Sequence, residues 1–351
     1  MRQKTLRDYN VKIGKLPTGS KNLITDVEGV KVGHVTLTTG DAKTGVTAIL
    51  PHTGNLFKEK VRASSYVING FGKSMGIIQI EELGTIETPI ILTNTLSIGV
   101  ASDGLIEYML KENEDIGRTT GTVNPVVGEC NDAYLNDIRG GHVKKEHIFE
   151  AIHHAKEFFQ QGAVGAGTGM SCYQLKGGIG SSSRVIKLDE KQFTIGALVL
   201  SNFGRKEDLL INGVAAGEII NAIDPEEPVR DKGSIIMVLA TDIPLSERQL
   251  KRMSKRASVG LSRTGSYIGN GSGDIVISFT TANQVNHYEA KDIVKMQTVN
   301  ELKMDDVFRG VVEAVEEAIL NSMICAETTI GRNGHRRYSL KKYIETIFSD
   351  I

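Results

Sequence analysis

Cysteine is nearly missing from the 351-residue chain, which has only Cys130, Cys172 and Cys325. They are far apart, odd in number and outside CxxC spacing, which argues against a disulfide framework and against a zinc site, and fits a reducing compartment. Proline is also scarce, at seven residues. No run of about 18 apolar residues occurs, so no membrane span is expected. The opening MRQKTLRDYN is charged where a signal peptide would be apolar, and a cytoplasmic protein is expected. Charge of one sign is lacking too: 41 Lys+Arg against 42 Asp+Glu leave a net charge of −1. That gives nucleic acid or an anionic membrane no electrostatic footprint, and leaves small molecules or peptides as the expected partners.

What is present is a globular composition. Hydrophobic residues make up 40% and charged residues 24%, enough for a sizeable core in one large domain over 1–351. Glycine, at 38 residues, is about 11% against roughly 7% in average proteins, which implies many tight turns or close backbone approaches. β-rich runs ending in Gly or Asn read as core strands at 30–37, 45–51, 64–70 and 88–95, and again at 196–204 and 233–245. Apolar residues recurring every three to four positions read as helices at 99–113 and 144–162, the second closed by Gly162. Strands alternating with helices predict α/β layers.

Residues 246–265 form a charged helix with a clear start, Ser246 standing as N-cap and Gln249 completing a capping box. Arg248, Lys251, Arg252, Lys255, Arg256 and Arg263 read as its solvated face rather than as a polyanion site. Residues 205–232, polar at both ends and holding two prolines, read as a surface excursion or linker.

The segment GSYIGNGSGDIVISFTTAN (265–283) carries chemistry. One hydroxyl, Ser272, sits in a glycine-rich turn just before an apolar strand. Glycines at 269, 271 and 273 permit unusual backbone angles and close approach, so the Gly271–Ser272 bond can be strained. Such a bond suits an acyl shift, in which the serine hydroxyl attacks the preceding carbonyl and water resolves the ester. Ser272 would then begin a new chain, and its α-amine, titrating near pH 7.7–8, would serve as base. No histidine is needed, and His34, His153 and His154 read as structural or surface residues. Spacing alone leaves an ordinary hairpin turn as the stronger alternative. A phosphate-cradling loop fits less well, because a strand follows and no GxxxxGK[ST] is present.

The segment TGSYIGNGSGDIVISFTTAN resembles the processing site of the L-aminopeptidase/D-esterases and β-peptidyl aminopeptidases, the self-processing serine hydrolases of peptidase family S58. NLITDVEGVKVGHVTL (22–37), GECNDAYLND (128–137), AVGAGTGM (163–170), VLSNFGR (199–205), ATDIPLSERQLKR (240–252) and EAVEEAILNSM (313–323) resemble family segments in the same order. The resemblance implies a four-layer αββα sandwich like that of the N-terminal-nucleophile hydrolases and ornithine acetyltransferase. It also implies cleavage into 1–271 and 272–351, and a homo-oligomer of processed units. It makes Ser272 the nucleophile and Asn202 an oxyanion donor, with a second donor from backbone near Tyr134 and Leu135. No cofactor or metal is implied. The expected substrate is a small peptide or an aminoacyl amide or ester. The alternatives are an acyltransferase like ornithine acetyltransferase, which uses threonine, and an unprocessed scaffold or ligand-binding protein.

Residues 305–325 read as an amphipathic helix whose apolar face includes Phe308, Val311, Val315 and Ile319. With Phe308 at zero and about 100° per residue, Glu316 falls near 80°, while Glu313 and Glu317 fall near 140° and 180°. Glu316 alone is expected to border the buried face, where a carboxylate either contacts the new ammonium of Ser272 and tunes its basicity or makes a local salt bridge; the resemblance suggests the first. Some members carry a serine two residues earlier, where this chain has Ala314, expected to point away from the core.

Overall fold

A computed structural model of the protein describes residues 3–226 and 233–349. The chain runs through β1 (Lys31–Leu37), β2 (Thr44–Leu50), β3 (Glu59–Gly70), α1 (Ile77–Leu83), β4 (Thr85–Ile86), β5 (Ile90–Asn94) and α2 (Ile98–Glu112). Then come β6 (Val126–Cys130), α3 (Lys145–His153), the short β7 (Ser171–Cys172) and β8 (Leu175–Lys176), and the long β9 (Gly178–Leu188) and β10 (Lys191–Asn202). The rest comprises α4 (Ala216–Ile223), β11 (Ser234–Thr241), α5 (Glu247–Arg263), β12 (Gly273–Asn286), α6 (Met304–Ile324), β13 (Thr329–Ile330), β14 (Arg336–Arg337) and α7 (Ile344–Ile347).

Among the described residues two sheets dominate, one in the order β1-β2-β5-β6 and the other β4-β3-β12-β11-β10-β9. Only β5/β6 and β11/β12 pair in parallel within them. Side chains alternate across a strand, and β11 shows how the layers arise. Its Ile235, Met237 and Leu239 pack with Leu250, Met253 and Ala257 of α5 and Val315 and Ile319 of α6. Its Ile236, Val238 and Ala240 face Ile49, Leu92 and Val126 of the other sheet. On the far side, Val46, Ala48 and Val127 pack under Leu105 and Met109 of α2 and Ile148 and Ile152 of α3. The result is the expected helix–sheet–sheet–helix sandwich. Gly180 permits the close seat of α6 on β9, since a Cβ there would stand 1.9 Å from the Ala318 carbonyl oxygen. No helix among the described residues is long and apolar enough to cross a membrane.

Three expectations need correcting. The helix predicted over 144–162 stops at His153, because the following backbone is claimed by tertiary hydrogen bonds: Lys156 pairs with Val32, and the Gln160 carbonyl meets His34. The 205–232 segment is no mere excursion, since Leu209, Ile211, Ala216 and Ile220 belong to the main core; residues 227–232 lie outside the described set. From Gly310 to Ile324 helix α6 is buried on all sides rather than amphipathic, its exposed residues being Asp305, Asp306 and Arg309 in the first turns. Glu313 and Glu317 are as buried as Glu316, and Ala314 is fully buried.

The all-round burial of α6 has a visible cause, since the N-terminal segment lies over its charged face. Arg184, fully buried on β9, donates to Glu317 at 2.7 Å and to Glu313 at 3.2 Å. Arg7 adds a two-pronged pair to Glu317, at 2.6 and 2.7 Å, and Asn22 donates to the same carboxylate at 2.6 Å. The Leu16 N–H caps Glu313. Burial alone pushes Glu317 up, but the Arg7 and Arg184 guanidiniums outweigh it and hold the carboxyl below its usual range. Removing one partner of a buried ion pair strands the other charge, at about 3–5 kcal/mol. Glu317→Ala is therefore expected to lose stability in that range, read from urea unfolding midpoints; a loss below about 1 kcal/mol would contradict this account.

Candidate active site

The β11–α5–β12 crossover returns the chain to the end of the sheet where β11 began, as a parallel connection must. Ser272 is delivered there, just ahead of β12. Register places Gly273 opposite Ser234 on one side and Gly70 on the other, with Asn202 opposite Ser234 in turn. The starts of β11 and β12 thus meet the ends of β10 and β3. From the facing sheet, β6 ends at Cys130, whose thiol lies 3.5 Å from the Leu200 carbonyl oxygen.

Ser272 is 1% exposed. Its Oγ donates to Asp274 Oδ1 at 2.6 Å, because residues two apart on a strand share a face. Its N–H donates to the Gly269 carbonyl at 2.9 Å, and its carbonyl accepts from the Phe71 N–H at 3.3 Å. The Asn69 side-chain amide donates to the same Ser272 carbonyl and also to those of Gly269 and Asn270, at 3.3 and 3.2 Å. One side chain therefore grips both sides of the Gly271–Ser272 bond.

The strain is not where the glycines suggested. Among the described residues the left-handed angle in this turn belongs to Ile268, at φ 60°, and not to Gly269, Gly271 or Gly273. A β-branched residue there costs about 1–3 kcal/mol. Gly273 supplies space instead, since a Cβ would sit 2.6 Å from the Phe71 carbonyl oxygen.

The other predicted residues divide into two groups. Asn202 closes β10 with both ends of its amide engaged: Nδ2 donates to the Asn131 carbonyl and Oδ1 accepts from the Ser171 N–H, each at 2.9 Å. This ties Asn202 to the turn after β6 that carries Tyr134 and Leu135. Tyr134 stacks on His335 at 4.7 Å, with the Arg337 guanidinium 3.8 Å over its ring. Leu135 is fully buried, and its N–H is spent on the Asp132 carbonyl at 3.2 Å. The turn itself is anchored by Asp132, whose carboxyl accepts from the Asn136 amide and is pushed by burial up to about 7. Glu316 stands apart, on α6, where its partner is Arg263 at 3.4 Å. Burial raises its pKa, and Arg263 opposes the rise.

Three further residues belong to this corner. Asp274 was recognisable from its spacing to Ser272. Glu129 was recognisable as a carboxylate inside the apolar strand VVGEC. It is 4% exposed, accepts from the Lys73 N–H at 2.8 Å and from the Thr95 hydroxyl, and lies against Gly72, itself packed on Gly273. Asn69, the third, gave no signal, because its role depends on β3 lying beside β12.

A family model, Peptidase family S58, matches residues 22–337. The chain belongs to peptidase family S58. It is a serine aminopeptidase with a fold like that of the N-terminal-nucleophile hydrolases. It is 37% identical over 374 residues to the beta-peptidyl aminopeptidase BapA of Sphingosinicella microcystinivorans, covering 96% of this chain and 92% of that one. Among solved structures it is similar to the PH0078 protein of Pyrococcus horikoshii OT3, with TM-score 0.94, 55% identity and 99% of each chain covered. It is similar also to the L-aminopeptidase D-Ala-esterase/amidase of Ochrobactrum anthropi, with TM-score 0.91, 35% identity and 98% of each chain covered.

The three histidines singled out in the sequence, His34, His153 and His154, lie on β1 and at the end of α3 rather than beside Ser272. His34 is wedged between the Thr47 hydroxyl at 2.9 Å and the Gln160 carbonyl at 3.1 Å, and burial pushes its pKa down to about 4. His153 and His154 are exposed at the end of α3. An unfolded histidine titrates near 6.5, so below that pH the unfolded chain takes up a proton that the folded one refuses. His34 is expected to cost stability progressively as pH falls from about 6.5 to about 4. Urea midpoints across that window should fall less steeply for His34→Gln than for wild type, and equal slopes would refute the assignment.

Proposed function

We propose that the chain cuts itself between Gly271 and Ser272 and that Ser272, as a new N-terminus, removes amino acids from the N-termini of peptides, amides or esters through an acyl-enzyme. One observation carries the reading: the buried Ser272 hydroxyl, bonded to Asp274 at 2.6 Å, sits next to a peptide bond gripped on both sides by Asn69. The names of the relatives favour β-amino or small L-amino and D-alanyl substrates. The mature unit is one domain over 1–351 made of fragments 1–271 and 272–351, assembled as a homo-oligomer. Three buried cysteines with no disulfide among the described residues fit a reducing, cytoplasmic setting.

In the mature enzyme the freed α-amine of Ser272, with an ordinary pKa near 7.7–8, takes the hydroxyl proton. Oγ attacks the substrate carbonyl, the amine or alcohol leaves with that proton, and water then hydrolyses the acyl-enzyme, releasing the acid and returning a proton to Oγ. Asn202 holds the oxyanion. Its amide nitrogen carries two N–H groups, and only one is spent on Asn131. A fixed donor of this kind contributes about 3–4 kcal/mol. Leu135 cannot supply the second donor while its N–H is bound to Asp132, and Tyr134 stands beside the site braced by His335 and Arg337. For the substrate's ammonium we assign Glu129 in preference to Glu316. Glu129 lies against Gly72, which packs on Gly273, whereas Glu316 lies among helices with Arg263.

The first test is the intact mass of the denatured protein beside a Ser272→Ala variant. Fragments 1–271 and 272–351 in wild type and one chain in the variant are expected; one uncut chain in both would favour a scaffold. In the cut enzyme, Glu129→Gln should raise KM for free-amine substrates about tenfold or more while Glu316→Gln leaves it within a factor of two, and the reverse order would return the ammonium to Glu316.

A further inference from the structure

Before the cut, the base of the mature enzyme does not exist. The Ser272 nitrogen is still an amide, bonded through its N–H to the Gly269 carbonyl, and an amide nitrogen cannot take a proton from its own hydroxyl. Another group must do so for the first turnover, in which the chain is its own substrate. Asp274 is already in place, its Oδ1 accepting the Ser272 Oγ–H at 2.6 Å. Both residues are 1% exposed, so the proton has no direct route to bulk water. The nearby alternatives are committed. Glu129 is held by the Lys73 N–H and the Thr95 hydroxyl, and Cys130 is a buried thiol that burial keeps protonated.

We infer that Asp274 is the base of self-cleavage, a role separate from the later chemistry of the freed amine. The inference rests on the self-processing reading above. As Oγ attacks the Gly271 carbonyl carbon, the Asp274 carboxylate receives the hydroxyl proton. The Gly271–Ser272 C–N bond then breaks, and the same proton passes to the leaving nitrogen, which becomes the α-amine. An ester now joins Gly271 to Oγ. One water hydrolyses it, its oxygen staying on the Gly271 carboxylate, one proton returning to Oγ and the other passing to the new α-amine. Asn69 prepares the step, because it holds the carbonyls of Gly269, Asn270 and Ser272 and, of that stretch, leaves out the Gly271 carbonyl that is attacked.

The test follows cleavage of the full-length chain by intact mass in wild type, Asp274→Asn, Asp274→Ala and Asp274→Glu. A positioned base is worth roughly 10²–10⁴ in rate, so Asp274→Asn should slow cleavage at least about 100-fold, while Asp274→Glu, which keeps a carboxylate, should still cut. Asp274→Ala should stay uncut in chloride and be cut in sodium formate, at a rate that rises with formate concentration. The Ser272→Ala/Asp274→Ala double variant should ignore formate. Cooperative melting of each variant, compared with uncut Ser272→Ala, guards against misfolding. Cleavage of Asp274→Asn at the wild-type rate would overturn the inference. So would a folded Asp274→Ala that formate leaves uncut while Asp274→Glu is uncut as well. An uncut wild-type chain would instead remove self-processing itself.

Discussion

Strands β5, β6 and β11 are dry on both faces, and that constraint arranges the rest of the molecule. A strand covered by a helix layer on one side and a second sheet on the other has no solvated face for polar side chains, so β11 is apolar along most of its length. The polar groups buried on β9 are bonded: Ser181, Ser182 and Arg184 meet the Ala197 carbonyl, the Ala314 carbonyl and the α6 carboxylates. Reactive polar groups are accordingly found at the strand ends. Ser272, Asn202 and Glu129 stand at the start of β12 and the ends of β10 and β6, where the two sheets converge.

The same constraint explains what could be read from one dimension. A strand dry on both sides is a short apolar run, and the runs at 88–95 and 233–245 became such strands. The capping box of α5 is local chemistry between Ser246 and Gln249, and it is present. The family segments singled out Asn202 and the turn of Ser272, which the strand register brings to neighbouring strand ends. Helix α6 was misjudged because periodicity assumes one wet face. Its second covering comes from Arg7, Leu16 and Asn22, some three hundred residues away in the chain, and the buried arginine that neutralises it comes from β9. The 144–162 segment failed similarly, since its periodicity was real but its backbone was needed by Val32 and His34.

Glu316 and Glu129 illustrate the limit at the site itself. An angular position on a helix says which side a carboxylate faces but not what lies there, and the neighbour of Glu316 is Arg263. Glu129 and Asp274 were visible as charges within or beside apolar strands, but only the pairing of β12 with β3, and the seat of Gly72 between Gly273 and Glu129, shows that they share a corner.

The place of β12 in its sheet has one more consequence. The strand lies between β3 and β11, so a cut just before it transfers an interior strand, together with α6, to the shorter fragment. Two hydrogen-bonded ladders and the Arg184–Glu317 contact would then run between separate polypeptides. Folding of the cut protein would become a second-order reaction, its midpoint drifting with dilution, and the two pieces would behave as an obligate complex that inherits its register from a chain no longer continuous.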